Sequence, residues 1–106
     1  MTRALINVPA DAKRGEIIEI KTLISHQMET GYRRDTVGNV IPRDIINRFV
    51  CLYNGVEVFR ADLSPAIAAN PFLSFSTVAV ESGTIEFQWT DDRGNTQTAS
   101  AIINVK

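Results

Sequence analysis

Few side chains in this 106-residue chain have the chemistry of a catalyst, and their spacing limits what each can do. His26 is the single histidine and Cys51 the single cysteine. One imidazole excludes a histidine-rich metal site, and a Ser-His-Asp triad would need a serine and an acid that no motif singles out. An iron centre of the superoxide reductase kind, which needs several histidines and a cysteine, cannot be assembled here. Cys51 lies between Val50 and Leu52, with Phe49 and Tyr53 beyond them. Burial among such neighbours raises a thiol pKa, and nothing close in sequence stabilises a thiolate, so a structural thiol is expected. It also lacks the glycine-flanked tether that a thiol visiting several active sites requires.

Charged groups are more numerous but no more pointed. Asp91, Asp92 and Asn95 offer oxygens, yet their spacing is not that of a calcium loop, and Asp-Asp-Arg-Gly-Asn is hairpin-turn chemistry. Arg33, Arg34 and Arg43 form the one basic concentration, with Glu29, Asp35 and Asp44 interleaved. Their charges largely cancel, which favours a solvated or partner-facing salt-bridge network over an anion site. No catalytic residue, cofactor or metal is therefore expected, and the chain does not read as an enzyme.

These side chains hang on strands and turns. Strands are predicted over residues 4–8, 16–24, 48–53, 56–61, 73–81, 84–90 and 96–105, with a turn around residues 11–15. In the second, Ile18, Ile20 and Ile24 share one face, with Glu19 and Lys21 on the other. Asn54-Gly55 supplies the positive φ values of a tight hairpin. Ile85, Phe87 and Trp89 alternate with Glu86, Gln88 and Thr90, the cleanest half-buried pattern in the chain. About seven strands with turn signals roughly ten residues apart predict an all-β, immunoglobulin-like antiparallel β-sandwich, with residues 1–106 as a single domain.

Two loops depart from ordinary turn composition. Ser25-His26-Gln27-Met28-Glu29-Thr30-Gly31 and Pro65-Ala66-Ile67-Ala68-Ala69-Asn70-Pro71-Phe72 carry Met, Ile, Ala and Phe, side chains that lose free energy when left in water. A partner is expected to cover them. Residues 65–69 are read as one short helical turn, with Ser64 as cap and Pro65 at the first helical position. The stretch from His26 to Asp44 shows no sustained period. It is either a long functional or mobile loop or a β-ribbon around residues 37–41 turned at Gly38-Asn39.

Composition bounds the partners. With 44% hydrophobic and 22% charged residues the chain is an ordinary globular domain, and a net charge of −1 gives no footprint for nucleic acid or an anionic membrane. No stretch approaches the roughly 20 apolar residues that span a bilayer. The N-terminal residues have no secretory signal pattern, which by itself would place the chain in the cytoplasm. Arg33-Arg34 is a twin arginine in spelling only, since Asp35-Thr36-Val37-Gly38 follows it and no apolar segment does.

Taken together, Ile24-Ser25-His26-Gln27-Met28-Glu29-Thr30-Gly31, Ile41-Pro42-Arg43, Tyr53-Asn54-Gly55, residues 65–72 and Phe87-Gln88-Trp89-Thr90-Asp91-Asp92 resemble the SoxZ family of the bacterial thiosulfate-oxidising Sox system. The resemblance runs along essentially the whole chain, with Gln27 where many members carry proline. It implies a non-catalytic subunit that forms a heterodimer with SoxY, whose glycine-flanked cysteine arm carries sulfur intermediates, and that meets other Sox enzymes transiently. This chain ends Ile102-Ile103-Asn104-Val105-Lys106, without such an arm. The resemblance also implies the periplasm, reached without a signal peptide of its own by export with SoxY. Under it, Met28 and Tyr32 from one loop and Ile67 and Phe72 from the other become interface anchors, with Glu29 and Arg33 nearer a polar rim. Asn70 and Gly31 take conformational roles. Without SoxY the same surface is expected to favour a homodimer. The alternative is a free-standing immunoglobulin-like module for a carbohydrate or other extracellular ligand, which would need an exposed aromatic platform.

Overall fold

In the computed structural model, which describes residues 3–64, 66–67 and 69–106, the strands form two sheets. β1 (Ala4–Asn7), β3 (Ile17–Ile24) and β6 (Phe72–Val78) make a three-stranded antiparallel sheet in the order β1-β3-β6. β2 (Asp11–Ala12), β8 (Thr96–Val105), β7 (Gly83–Asp91), β4 (Ile46–Tyr53) and β5 (Val56–Asp62) make the second, in the order β2-β8-β7-β4-β5. No helix occurs among the described residues. The all-β sandwich expected from the alternating pattern is the fold observed.

Register explains why the inward set is continuous. Phe49 pairs with Trp89, Cys51 with Phe87 and Tyr53 with Ile85 across β4 and β7. Phe87 then pairs with Ala99 across β7 and β8, so large and small side chains alternate along the row. Ile18, Ile20 and Ile24 of β3 close on this layer from the other sheet, and all are buried. Burial of each such side chain contributes about 1.5–3 kcal/mol. At the open side of the sandwich, Phe59 of β5 stacks on Phe75 of β6 with ring centroids 4.2 Å apart and planes 5° from parallel. Two edge strands are thereby joined across the sheets.

Three local differences from the sequence reading have physical causes. β2 lies where a turn was expected and pairs parallel to β8, its two residues held by flanking bonds from the Asn104 amide to the Ala10 carbonyl and from the Lys106 amide to the Ala12 carbonyl. Two residues have no periodicity to read. β6 begins at Phe72 and stops at Val78, so Phe72 is a strand residue and not part of the loop before it. Within residues 26–44 a ribbon does form, but its turn is Asp35-Thr36-Val37-Gly38. The Arg34–Val40 bridge closes it, and Asp35 Oδ1 accepts from the amides of Val37 and Asn39. After β5, Ser64 caps a single turn by accepting the Ala66 amide at Oγ and the Ile67 amide at its carbonyl. Pro65 and Ala68, expected in that turn, lie outside the described residues.

Candidate functional site

The loops after β3, β5 and β7 meet at one end of the sandwich and are tied together there. Asn70 joins the first two: its Oδ1 accepts the His26 amide at 2.9 Å, and its own amide donates to the His26 carbonyl at 2.7 Å. Asn70 makes these two hydrogen bonds at φ 55°, in the left-handed region that asparagine tolerates better than most residues. Glu29 and Asp44 exchange both backbone bonds, at 2.9 and 2.8 Å, which folds the 26–44 connection back on itself. Gly31 turns it at φ 88°, where an added Cβ would come within 3.1 Å of Arg43 Cβ. The conformational roles expected for Asn70 and Gly31 are those observed.

Asp92 is the electrostatic centre of this end. Its carboxylate accepts from Arg43 Nε at 2.8 Å, Arg43 Nη2 at 2.9 Å, Asn47 Nδ2 at 2.9 Å and the Ile45 amide at 3.2 Å. Hydrogen bonding from Arg43, supported by Asn47 and the Ile45 amide, holds its carboxyl down at about 2. Arg93 reaches Asp44 at 3.2 Å, and Arg33 pairs with Glu29 and lowers its pKa by hydrogen bonding. The basic and acidic residues thus pair, as their interleaving suggested, although Asp92 binds across 49 positions to Arg43 and is more than turn chemistry.

The expected site residues divide. Tyr32 is 84% exposed, Phe72 58% and Ile67 39%, so these three are available to a partner. Glu29 and Arg33, the latter next to Tyr32 in the chain, form an ion pair. Met28 is not available: it is 3% exposed and packs in the core, with its Sδ accepting the Ile46 amide at 3.2 Å. Its expected place as a surface anchor is corrected. Met28 sits at φ 54° with its amide donating to His26 Nδ1 at 2.9 Å, which swings the side chain inward. Leu5 and Leu23, which no loop motif flagged, align with Phe72 in one row across β1, β3 and β6. The readable signal was Leu23 itself, an apolar side chain on the Glu19–Lys21 face of its strand.

Cys51 is fully buried, and burial pushes its thiol up to about 12. Among the described residues, His26, Asp44 and Asp91 are the group whose ligand atoms come together, within 4.8 Å of one another. Each already has another task. His26 Nδ1 accepts the Met28 amide, so the ring proton belongs on Nε2 and neither nitrogen offers a free lone pair. Asp91 Oδ1 accepts the amides of Arg93 and Asn95, and Asp44 pairs with Arg93 through Oδ2, while its Oδ1 is buried without a hydrogen-bond partner among the described residues. The cleft of about 420 Å³ beside them, bordered by His26, Glu29, Asn70 and Arg93, is lined by groups that hold loops in place.

In fold this chain is similar to a superoxide reductase (neelaredoxin) from Ignicoccus hospitalis, with a TM-score of 0.73 at 15% identity over 97% of this chain and 80% of that one. A putative superoxide reductase from Thermotoga maritima gives 0.72 at 17% identity over 97% and 85%. The sulfur carrier protein SoxY from Chlorobium limicola f thiosulfatophilum gives 0.67 at 13% identity over 97% and 78%. At such identities the likeness concerns the fold alone, and the chain's single histidine stays as described. No curated protein matches it significantly in sequence. The family model of the sulphur oxidation protein SoxZ does match, over residues 6–102. Nearly the whole chain is covered, loops and strands alike, and it belongs to the SoxZ family.

Proposed function

We propose that this chain is the non-catalytic partner of SoxY, binding and orienting the subunit that carries sulfur intermediates during thiosulfate oxidation. The observation that carries this reading is the family match across residues 6–102, which supports a role in sulfur oxidation. The fate of Cys51 supports the supporting role: a thiol buried mid-strand and pushed up to about 12 is neither reachable nor nucleophilic at neutral pH. The groups at the loop end, from Asn70 to Asp92, are engaged in fixing backbone, which is what a rigid platform for a tethered cysteine needs. Ile67, Phe72 and Tyr32 supply the apolar contact with SoxY, and the Glu29–Arg33 pair supplies the rim. The periplasm, reached by export with SoxY, is the compartment this role requires.

Calorimetric titration of SoxY into the isolated chain tests the reading. A saturable one-to-one complex is expected, together with no thiosulfate turnover by the isolated chain. Absence of binding, or turnover without SoxY, would overturn it.

A further inference from the structure

The outer face of the three-stranded sheet is built of four rows in register. Leu5, Leu23 and Phe72 form the first; Asn7, Lys21 and Ser74 the second; Glu19 and Ser76 the third; Ile17 and Val78 the fourth. The two end rows are apolar and open to water, with Leu5 at 55% and Ile17 at 73% exposure. Between them Lys21 and Glu19 pair at 3.2 Å. The outer face of the five-stranded sheet is different, carrying Glu57, Arg60, Glu86, Gln88 and Thr98. Its apolar members stand singly among polar neighbours, Leu52 between Glu57 and Glu86, Val50 between Arg60 and Gln88, and the exposed Ile102 beside Thr84. Only one of the two faces thus has an apolar, charged, apolar sequence along its strands.

We propose that this face is the homodimer interface of the isolated chain, laid against the same face of a second copy. Two kinds of two-fold axis in the plane between the copies bring such a face onto itself. An axis along the strands sets Lys21 against Lys21 of the second copy and Glu19 against Glu19. An axis across the strands, level with Ile20, sets each Lys21 against Glu19 of the second copy. It also lays the Leu5, Leu23 and Phe72 row on Ile17 and Val78. Charge complementarity selects the second arrangement, because like charges directly opposed oppose association. Successive rows lie about 7 Å apart, so the contact runs roughly 20 Å along β3, with the sheets about 10 Å apart. Phe72 also belongs to the surface assigned to SoxY, so this dimer is a state of the chain without SoxY.

Sedimentation equilibrium of the purified chain, with circular dichroism to verify folding, tests the inference. The wild type is expected to dimerise. Lys21→Glu, which opposes four carboxylates across the axis, is expected to weaken the dimer about tenfold or more, and the swap Glu19→Lys with Lys21→Glu to restore it. Both positions are exposed, so the variants keep their core. A monomeric wild type, an unchanged dimer in Lys21→Glu, or a swap that does not recover would each overturn the proposal. The SoxY reading fails separately, as absence of binding when SoxY is titrated into the charge-reversed chain.

Discussion

The loops at residues 25–31 and 65–72 look alike in sequence, each setting apolar side chains among turn residues, yet the fold uses them in opposite ways. In the first, Met28 turns inward and becomes part of the core; in the second, Ile67 and the following Phe72 point outward. Hydrophobicity does not distinguish them. Backbone does: Met28 takes a left-handed conformation fixed by His26 Nδ1 on its amide, whereas Phe72 inherits the outward parity of β6, opposite the inward Phe75. An apolar loop residue is thus evidence that something covers it, and the cover can be the protein's own core.

The sharpest way to break this contrast is to truncate Met28. Met28→Ala is expected to destabilise the domain by about 2–5 kcal/mol, because a cavity opens in the core. Met28→Leu keeps the volume but leaves the Ile46 amide without its sulfur acceptor, at a cost of about 1–3 kcal/mol. Urea denaturation of both variants measures this. If Met28→Ala unfolds at the wild-type midpoint, Met28 is a surface residue in solution and the contrast between the loops collapses.

For the second loop the expected loss is in binding. Ile67→Ser with Phe72→Ser should weaken SoxY binding by about 2 kcal/mol or more, some thirtyfold, while leaving the denaturation midpoint nearly unchanged. Calorimetry and urea denaturation on the same preparation give both numbers. A folded double variant with full affinity would move the SoxY surface away from this loop.

The connection that carries the first loop has a support of its own in Asp92, and removing it should have a moderate effect. Asp92→Asn keeps the shape of the side chain but loses the charge that Arg43 answers, with an expected cost of about 1–3 kcal/mol. The pH dependence has a definite sign. The Asp92 carboxyl lies at about 2, below its ordinary 3.8, so its contribution is complete above pH 3.8 and is lost as pH falls through about 2. The stability gap between wild type and Asp92→Asn should therefore be constant at neutral pH and close across that acidic window. A gap that stays open at the lowest pH would mean the Arg43 pairing is not its source.

Much of this was legible before the structure, and the gaps share a cause. Ile85, Phe87 and Trp89 announced their face by alternation, and Asn54-Gly55 announced its hairpin, because both signals are local. The partition of the 26–44 connection was not local. The His26 bond that turns Met28 inward is local, but the loop that carries it is anchored by Asn70 on His26 and by Asp44 on Glu29, both distant in sequence, and Asp92 read as turn chemistry because its partner Arg43 lies 49 positions away. The row of Leu5, Leu23 and Phe72 was hidden for the same reason: Phe72 was read as a loop residue, Leu23 stood out only as an apolar side chain on a charged face, and only the register of three strands aligns them with Leu5. Family resemblance pointed to sulfur oxidation but could not divide the apolar residues between core and surface.

The smallest expected effect separates two neighbours within one connection. Tyr32 follows Met28 by four positions, but it is 84% exposed and its amide bonds to Thr30 Oγ1 without engaging the ring. Tyr32→Ala should therefore change stability by less than about 0.5 kcal/mol, against the several expected for Met28→Ala. Its ring is wide and rigid, and such rings anchor interfaces when a partner covers them, so the same substitution should lower SoxY affinity about tenfold. Denaturation and calorimetry again separate the two effects. A stability loss comparable to that of Met28→Ala would mean the ring packs on the domain in solution, and unchanged affinity would leave Ile67 and Phe72 as the anchors of the interface.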